Sequence, residues 1–364
     1  MMKTHRIDYT LLIVTLLLAA FGLLMVFSSS YYYAIEKMQN KTHFFLTDLK
    51  WISIGVVVML VASQVHYRFY KKFAIPALVV SIALLIYVLL FGTVINNAQR
   101  WIEILGQTFM PAEIAKIGLI LFFSYSLEKN YTRLNELPVL GVYVSIIGVS
   151  VFLIMKQPNM STAVILAGIL CIMLFVAGLY WRYTVSGLII GSAVAWELVN
   201  SATYRLSRWT SFLDPFNDPS DDSYQVVQSL YALGTGGIGG VGLGMSTQNK
   251  LYIPEPQNDF ILATIGEELG FMGTVLLLVF FLILIYRCVK IAMNAPDHFS
   301  FFMATGITAM LTLQVIMNYA VATSSMPATG ISLPFISYGG TSVVILMGSV
   351  GILLNISKHC MTRG

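Results

Sequence analysis

The chain predicts an all-α polytopic membrane protein of about ten transmembrane helices, with a large extracytoplasmic loop between helices 7 and 8. Three observations carry the prediction. Hydrophobic residues make up 57% of the 364 and charged residues only 10%, whereas a soluble domain coats itself with roughly 25% charged residues. Mean hydropathy is +0.79. The apolar residues also fall into runs near the 17–25 residues a helix needs to cross a bilayer. The same numbers exclude other classes. A net charge of +4 forms no dense basic patch, so nucleic acid is not an expected partner. Cys171, Cys288 and Cys360 share no metal-ligand or disulfide spacing.

The first span is Thr10–Ser28, too long for the apolar part of a signal peptide and without a small-residue cleavage site. Lys50–Val65, Phe73–Gly92, Pro111–Leu127 and Pro138–Met155 follow, then Met160–Gly178 and Tyr180–Val199. The last three are Leu269–Met293, Ser300–Ala322 and Phe335–Ile356. With the N-terminus inside, Lys3, Arg6, Arg68, Arg287, Lys358 and Arg363 fall in cytoplasmic segments, while Lys37, Lys41, Arg100 and Lys156 lie opposite. The bias is about two to one across the short loops, which orients both termini to the cytoplasm. The whole chain reads as a single membrane domain.

Residues 200–268 form the large outer loop. It opens with Arg205 and Arg208, turns acidic through Asp214, Asp218, Asp221 and Asp222, and becomes glycine-rich from Gly234 to Gly244. Loops of this length are usually functional or disordered, and its aromatic and glycine content predicts an ordered, functional one. The glycine run lacks the flanking strand and helix of a nucleotide-binding loop; a tight turn explains it equally well.

Three other segments carry candidate chemistry. Pro111 suits the first turn of a helix, Glu113 then faces the positive end of the helix dipole, and Lys116 follows at i+3 on the same face. An ionisable pair at a span edge marks a site facing a cavity, the alternative being a snorkelling interfacial anchor. In Pro254-Glu255-Pro256-Gln257-Asn258-Asp259, the aspartate precedes an apolar helix, where it can act as an N-cap or as a general base at the membrane surface. Glu267 and Glu268 follow, as a solvated helix start or a metal site. Finally, Met326 to Gly340 breaks the connection between spans nine and ten with two prolines and three glycines. Such irregular backbone lines a wet cavity or is buried in protein, with a re-entrant structural turn as the alternative.

Taken in this order, Arg100-Trp101-Ile102, Met110 to Lys116, Leu251 to Gly270 and Pro327 to Gly340 are similar to the motifs of the SEDS family (shape, elongation, division and sporulation), the group containing RodA, FtsW and SpoVE. The resemblance spans nearly the whole chain. It implies a ten-helix enzyme of the bacterial inner membrane, a glycosyltransferase that extends peptidoglycan strands from lipid II beside a class B penicillin-binding protein. It makes Asp259 the residue essential for polymerisation. Glu113 and Lys116 correspond to cavity residues, and Arg100, Arg205 and Arg208 to basic residues of the outer segments. Glu267, Glu268 and Ser337 lie within the matching motifs and join them as expected substrate-binding positions. Three departures stand out: Gln257-Asn258 replaces His-Thr, Met110-Pro111-Ala112-Glu113 replaces Gln-Pro-Ser-Glu, and Ser223-Tyr224-Gln225 replaces Gly-Tyr-Gln.

The expected chemistry needs a base for the acceptor hydroxyl and positive charge for the departing lipid pyrophosphate. Asp259 is the expected base; Arg100, Lys116, Arg205 and Arg208 are the expected cations, with a divalent cation, Mg2+ or Mn2+, as a candidate to share their task. A lipid flippase and a non-catalytic scaffold for a transpeptidase are the alternatives. Charges clustered towards the outer face favour chemistry there over transport.

Overall fold

In lipid a backbone can satisfy its polar groups only internally, so each apolar run becomes a helix. The computed structural model describes residues 7–95, 98–104, 107–200, 203–216, 223–250 and 252–360. Its helices are α1 (Tyr9–Met38), α2 (His43–Gln64), the short α3 (Tyr67–Lys71), α4 (Ala74–Phe91), α5 (Pro111–Asn130), α6 (Leu137–Lys156), α7 (Met160–Val176) and α8 (Trp181–Asn200). After them come α9 (Thr203–Leu213) and α10 (Tyr224–Gly236) in the large loop, then α11 (Ile261–Met293), α12 (His298–Ala322) and α13 (Gly340–Ser357). Among the described residues, seven helices are long and apolar enough to cross a membrane: α1, α2, α4, α6, α11, α12 and α13. At the other three expected positions α5 carries Glu113, Lys116, Glu128 and Lys129, α7 has 17 residues, and α8 contains Arg182 and Glu197.

One end of the bundle is tied by polar contacts between distant segments. Asp8 caps α1 through the Leu11 N–H at 3.0 Å and accepts from the Arg287 guanidinium at 2.9 Å. The Tyr67 hydroxyl donates to Asp297 at 2.8 Å, and Lys358 donates to the Ser63 carbonyl at 2.7 Å. Arg68, Arg287 and Lys358, all expected on the cytoplasmic side, therefore share an end. Lys3, Arg6 and Arg363 lie outside the described residues, as do Asn96, Asn97, Asp218, Asp221, Asp222 and Leu251.

The opposite end departs from an all-helical expectation. Between α4 and α5 the chain folds into a small antiparallel sheet, β1 (Thr93–Ile95), β2 (Ala98–Ile104) and β3 (Gln107–Phe109), in that spatial order. Alternation explains it: side chains two apart share a face of a strand, and Ala98 and Ile102 are buried while Glu103 is exposed. Arg100 lies between Ala98 and Ile102 on the inward face.

The glycine run is an ordered strap. The helix α11 starts at Ile261, earlier than the expected Leu269, and breaks at Gly270 (φ 68°, ψ −169°). A break frees peptide groups that need partners, and the strap provides them. Val241 and Gly242 donate to the Glu267 and Glu268 carbonyls at 2.9 and 3.0 Å, and Phe271 and Met272 donate back to Gly237 and Ile238 at 2.9 and 3.1 Å. A Cβ on Gly270 would stand 2.3 Å from the Gly240 nitrogen and 2.5 Å from the Ile238 oxygen. Gly270→Ala is therefore expected to destabilise the protein by about 1–3 kcal/mol through backbone strain alone, read as a lower melting temperature in detergent. An unchanged melting temperature would show that the strap yields freely.

Candidate active site

Asp259 sits where the Pro254–Asp259 segment meets the irregular stretch before α13. It caps no helix: the N-cap of α11 is Phe260, which makes no side-chain cap bond. The carboxylate faces Gly330, whose φ of 67° and missing side chain leave room for it; a Cβ there would approach Asp259 Oδ2 to 3.2 Å. Asn318 of α12 joins the two stretches, its Nδ2 donating to the Asp259 carbonyl at 3.0 Å and to the Ile331 carbonyl at 2.8 Å. The Tyr338 N–H donates to the Gln257 carbonyl at 2.9 Å, and the Ser161 hydroxyl donates to the Thr329 carbonyl. Leu333, Phe335 and Ile336 are buried, so the broken backbone is packed against protein, as irregular segments at membrane depth require.

Two cations oppose the Asp259 charge. Arg208 comes from α9 and donates to the Ala328 carbonyl at 3.3 Å. Arg100 comes from β2 and donates to the carbonyls of Gln157 and Pro158, at the turn between α6 and α7. Burial, reinforced by the Glu255 carboxylate, pushes the Asp259 carboxyl up to about 6 against the pull of Arg208 and Arg100. Desolvation disfavours the charged form of an acid and neighbouring cations favour it; here desolvation wins. A carboxyl poised near neutrality suits proton transfer.

Glu113 and Lys116 form a separate group. Pro111 begins α5 as expected, and Lys116 Nζ lies 2.8 Å from Glu113 Oε1 with only 1% of the lysine side chain exposed. That burial corrects the snorkelling alternative. The Ser342 hydroxyl of α13 completes the group, donating to Glu113 Oε2 at 3.2 Å.

Glu267 and Glu268 are taken up by the large loop. Both are 1% exposed, which overturns the solvated helix start. Glu267 accepts from the Ser246 hydroxyl and from the Thr247 N–H at 2.8 Å; Glu268 accepts from the Ser28 hydroxyl of α1 at 2.6 Å and from Asn249 at 3.4 Å. These bonds tie the large loop to the start of α11 and to α1. Ser337 likewise turns inward, its oxygen accepting the Leu333 N–H at 2.8 Å. Arg205 lies on α9 one turn before Arg208, with its side chain outside the described residues.

Two residues of this site escaped the sequence reading. Glu255 stands in the Pro254–Asp259 segment, between two prolines, without an expected role of its own. Asn318 carried a signal, since Gln314 and Asn318 stand at i and i+4 in an otherwise apolar span, and a polar residue inside a span is a functional hypothesis by default. Among the described residues no three His, Cys, Asp or Glu side chains gather to hold a metal. The described residues therefore offer no dedicated cation cage, and a Mg2+ or Mn2+ ion held by them would take ligands from substrate and water.

The chain is similar to known proteins over nearly its whole length. The family model for FtsW, RodA and SpoVE, described as cell cycle protein, matches residues 8–362. Stage V sporulation protein E of Bacillus subtilis is 40% identical over 359 residues, 97% of each chain. A Geobacter protein named probable peptidoglycan glycosyltransferase FtsW is 38% identical over 363 residues, 99% of each. Among solved structures, a chain of a peptidoglycan synthase complex that coordinates polymerization and crosslinking superposes with a TM-score of 0.80 at 26% identity, covering 96% of this chain and 97% of that one. The rod shape determining protein RodA of Thermus thermophilus shares the fold, with a TM-score of 0.73 at 23% identity over 98% of each chain.

Proposed function

This chain belongs to the FtsW/RodA/SpoVE family, and on that premise we propose that it is a peptidoglycan glycosyltransferase of the bacterial inner membrane, polymerising lipid II into glycan strands. The observation that carries the reading is the placement of Asp259. It is a desolvated carboxyl before α11, opposed by Arg100 and Arg208, at the end of the bundle away from Arg287 and Lys358. With both termini cytoplasmic, that end faces the side where a lipid-linked glycan is extended.

In the proposed reaction Asp259 takes the proton of a sugar hydroxyl on lipid II. The hydroxyl oxygen forms a bond to the anomeric carbon of the growing strand, and the bond from that carbon to the lipid pyrophosphate breaks. The pyrophosphate leaves with the electron pair and meets the positive charge of Arg100 and Arg208, with Arg205 adding to it from the same helix. Preorganised charge of this kind stabilises the leaving group without reorganisation during the reaction. A single displacement inverts the anomeric centre. The buried Glu113–Lys116 pair braces α5 against α13 through Ser342.

A class B penicillin-binding protein is the proposed partner, supported by the likeness to a chain of a complex that couples polymerization to crosslinking. The test is to give the purified chain, alone and with that partner, labelled lipid II and Mg2+ or Mn2+. Glycan ladders on a gel are expected. Translocation of lipid II across vesicles without ladders would replace the polymerase by a flippase.

A further inference from the structure

Between α1 and α11 the outer surface of the bundle is concave. A groove of about 230 Å³ is lined by leucine and phenylalanine side chains of both helices, among them Leu17 and Phe21 of α1 and Leu276 and Phe280 of α11. Leu17 and Leu276 are exposed on it. Its one small residue, Gly273, is already covered, since a Cβ there would stand 2.2 Å from Leu269 Cβ. A helix with its side chains is about 10–12 Å across and docks in lipid through small or polar residues. This wall offers neither, and it suits a narrow hydrocarbon chain.

The groove leads outward to a cation. At its outer end α11 breaks at Gly270, and beyond the break Glu268 accepts from the Ser28 hydroxyl at 2.6 Å and from Asn249 Nδ2 at 3.4 Å. Lys250 follows Asn249, with its Nζ 5.9 Å from the ring of Tyr32, one turn beyond Ser28 on α1. The lysine is exposed and forms no ion pair with a described carboxylate. Phe21, Ser28 and Tyr32 share a face of α1. From Phe21 to Tyr32 the helix rises roughly 16 Å, so an extended chain lying in the groove brings its headgroup to the lysine.

We propose that this groove seats the prenyl chain of the acceptor lipid II, with Lys250 meeting the pyrophosphate which that lipid keeps. The inference rests on the polymerase reading, whose reaction holds two lipid pyrophosphates at once. The leaving one meets Arg100 and Arg208. The acceptor's stays attached, separated from the reacting hydroxyl by the acceptor's own sugars, and needs positive charge elsewhere. Lys250 supplies it from a segment tied to the same end of α11: the Thr264 hydroxyl, in the first turn of that helix, donates to Asn249 Oδ1 at 2.8 Å. Lipid tails are as apolar as leucine, so the groove orients the chain, and the lysine, a point charge for phosphate, selects the headgroup.

The test uses the full chain with its penicillin-binding protein in lipid nanodiscs, and radiolabelled lipid II. Benzoylphenylalanine in place of Leu276 should crosslink the label; the same group in place of Leu282, exposed on another face of α11, should crosslink far less. Unlabelled lipid II should remove the Leu276 adduct, and an equal excess of phosphatidylglycerol should leave it. With preformed lipid-linked glycan saturating and lipid II varied, Lys250→Gln should raise KM about fivefold, the worth of one cation beside an anionic headgroup. Its kcat should hold, as for an interaction made equally before and during the reaction. Lys250→Arg should restore the wild-type KM, and Leu276→Trp, which fills the groove, should raise it without touching the charge. Adducts that phosphatidylglycerol displaces, or that form equally at both positions, would overturn the proposal in favour of bulk lipid. An adduct with the penicillin-binding protein would overturn it by giving the groove to that protein's helix. Wild-type ladders with an unmoved KM in Lys250→Gln and Leu276→Trp would overturn it while leaving the polymerase intact. No ladders from the wild type would remove the polymerase itself, and the acceptor with it.

Discussion

Asp259→Asn is expected to lower lipid II polymerisation by about 10²–10⁴-fold, the usual contribution of a positioned general base, while the protein accumulates and folds normally. Asparagine keeps the shape and removes the proton acceptor. Stability gives an independent control whose sign is set by the raised carboxyl. A carboxyl that holds its proton more tightly when folded, at about 6 against the usual 3.8, costs the folded state stability as pH rises from the lower value through the higher one. That cost is fully present at neutral pH and absent well below the unfolded value. The Asn variant should therefore melt no lower than wild type at neutral pH, and any advantage should vanish in acid. An inactive variant that also melts far below wild type would mean that the residue holds the fold. Ladders of wild-type length from the variant would take the base away from Asp259.

Lys116→Ala is expected to cost about 3–5 kcal/mol, because removing one partner of a buried pair strands the other charge. Glu113 would be left with the Ser342 hydroxyl as its only described side-chain partner, in a site with 5% exposure. The measurement is the melting temperature in detergent together with membrane yield. The combination Glu113→Gln with Lys116→Met should recover most of the loss, since a buried ion pair replaced by neutral groups of similar volume is often neutral in stability. If Lys116→Ala alone melts like wild type, the lysine is reaching water and the pair is not buried in solution. Polymerisation by the recovered double variant separates the two functions of the pair: activity retained marks it as structural support, and activity lost with the fold intact places its charges in the reaction.

Much of this protein was legible in the chain. Ten apolar runs became ten helices because hydropathy acts residue by residue and lipid leaves a helix as the only local solution. Pro111 marked the start of α5, since its ring forbids a helix interior and suits a first turn. The motif around Asp259 was legible by resemblance, and the site residue it named lies at a junction of two broken segments. The small sheet was not foreseen, because a short alternating run between two spans gives a weak signal beside them.

What the chain determined by itself is local: which segments enter the membrane, where they break, and which ionisable residues stand near their ends. Tertiary structure alone decided which of those residues meet. Arg100 from β2, Arg208 from α9 and Glu255 act on Asp259 together, although the first two come from elements far apart in sequence. Glu267 and Glu268, which share the same motif, were drawn instead into the strap and α1. Lys116 was buried because α13 closes over α5 and brings Ser342 to its partner. Proton affinity, burial and ion pairing depend on the distance between charges and on the water removed around them, and neither is set until the helices have packed.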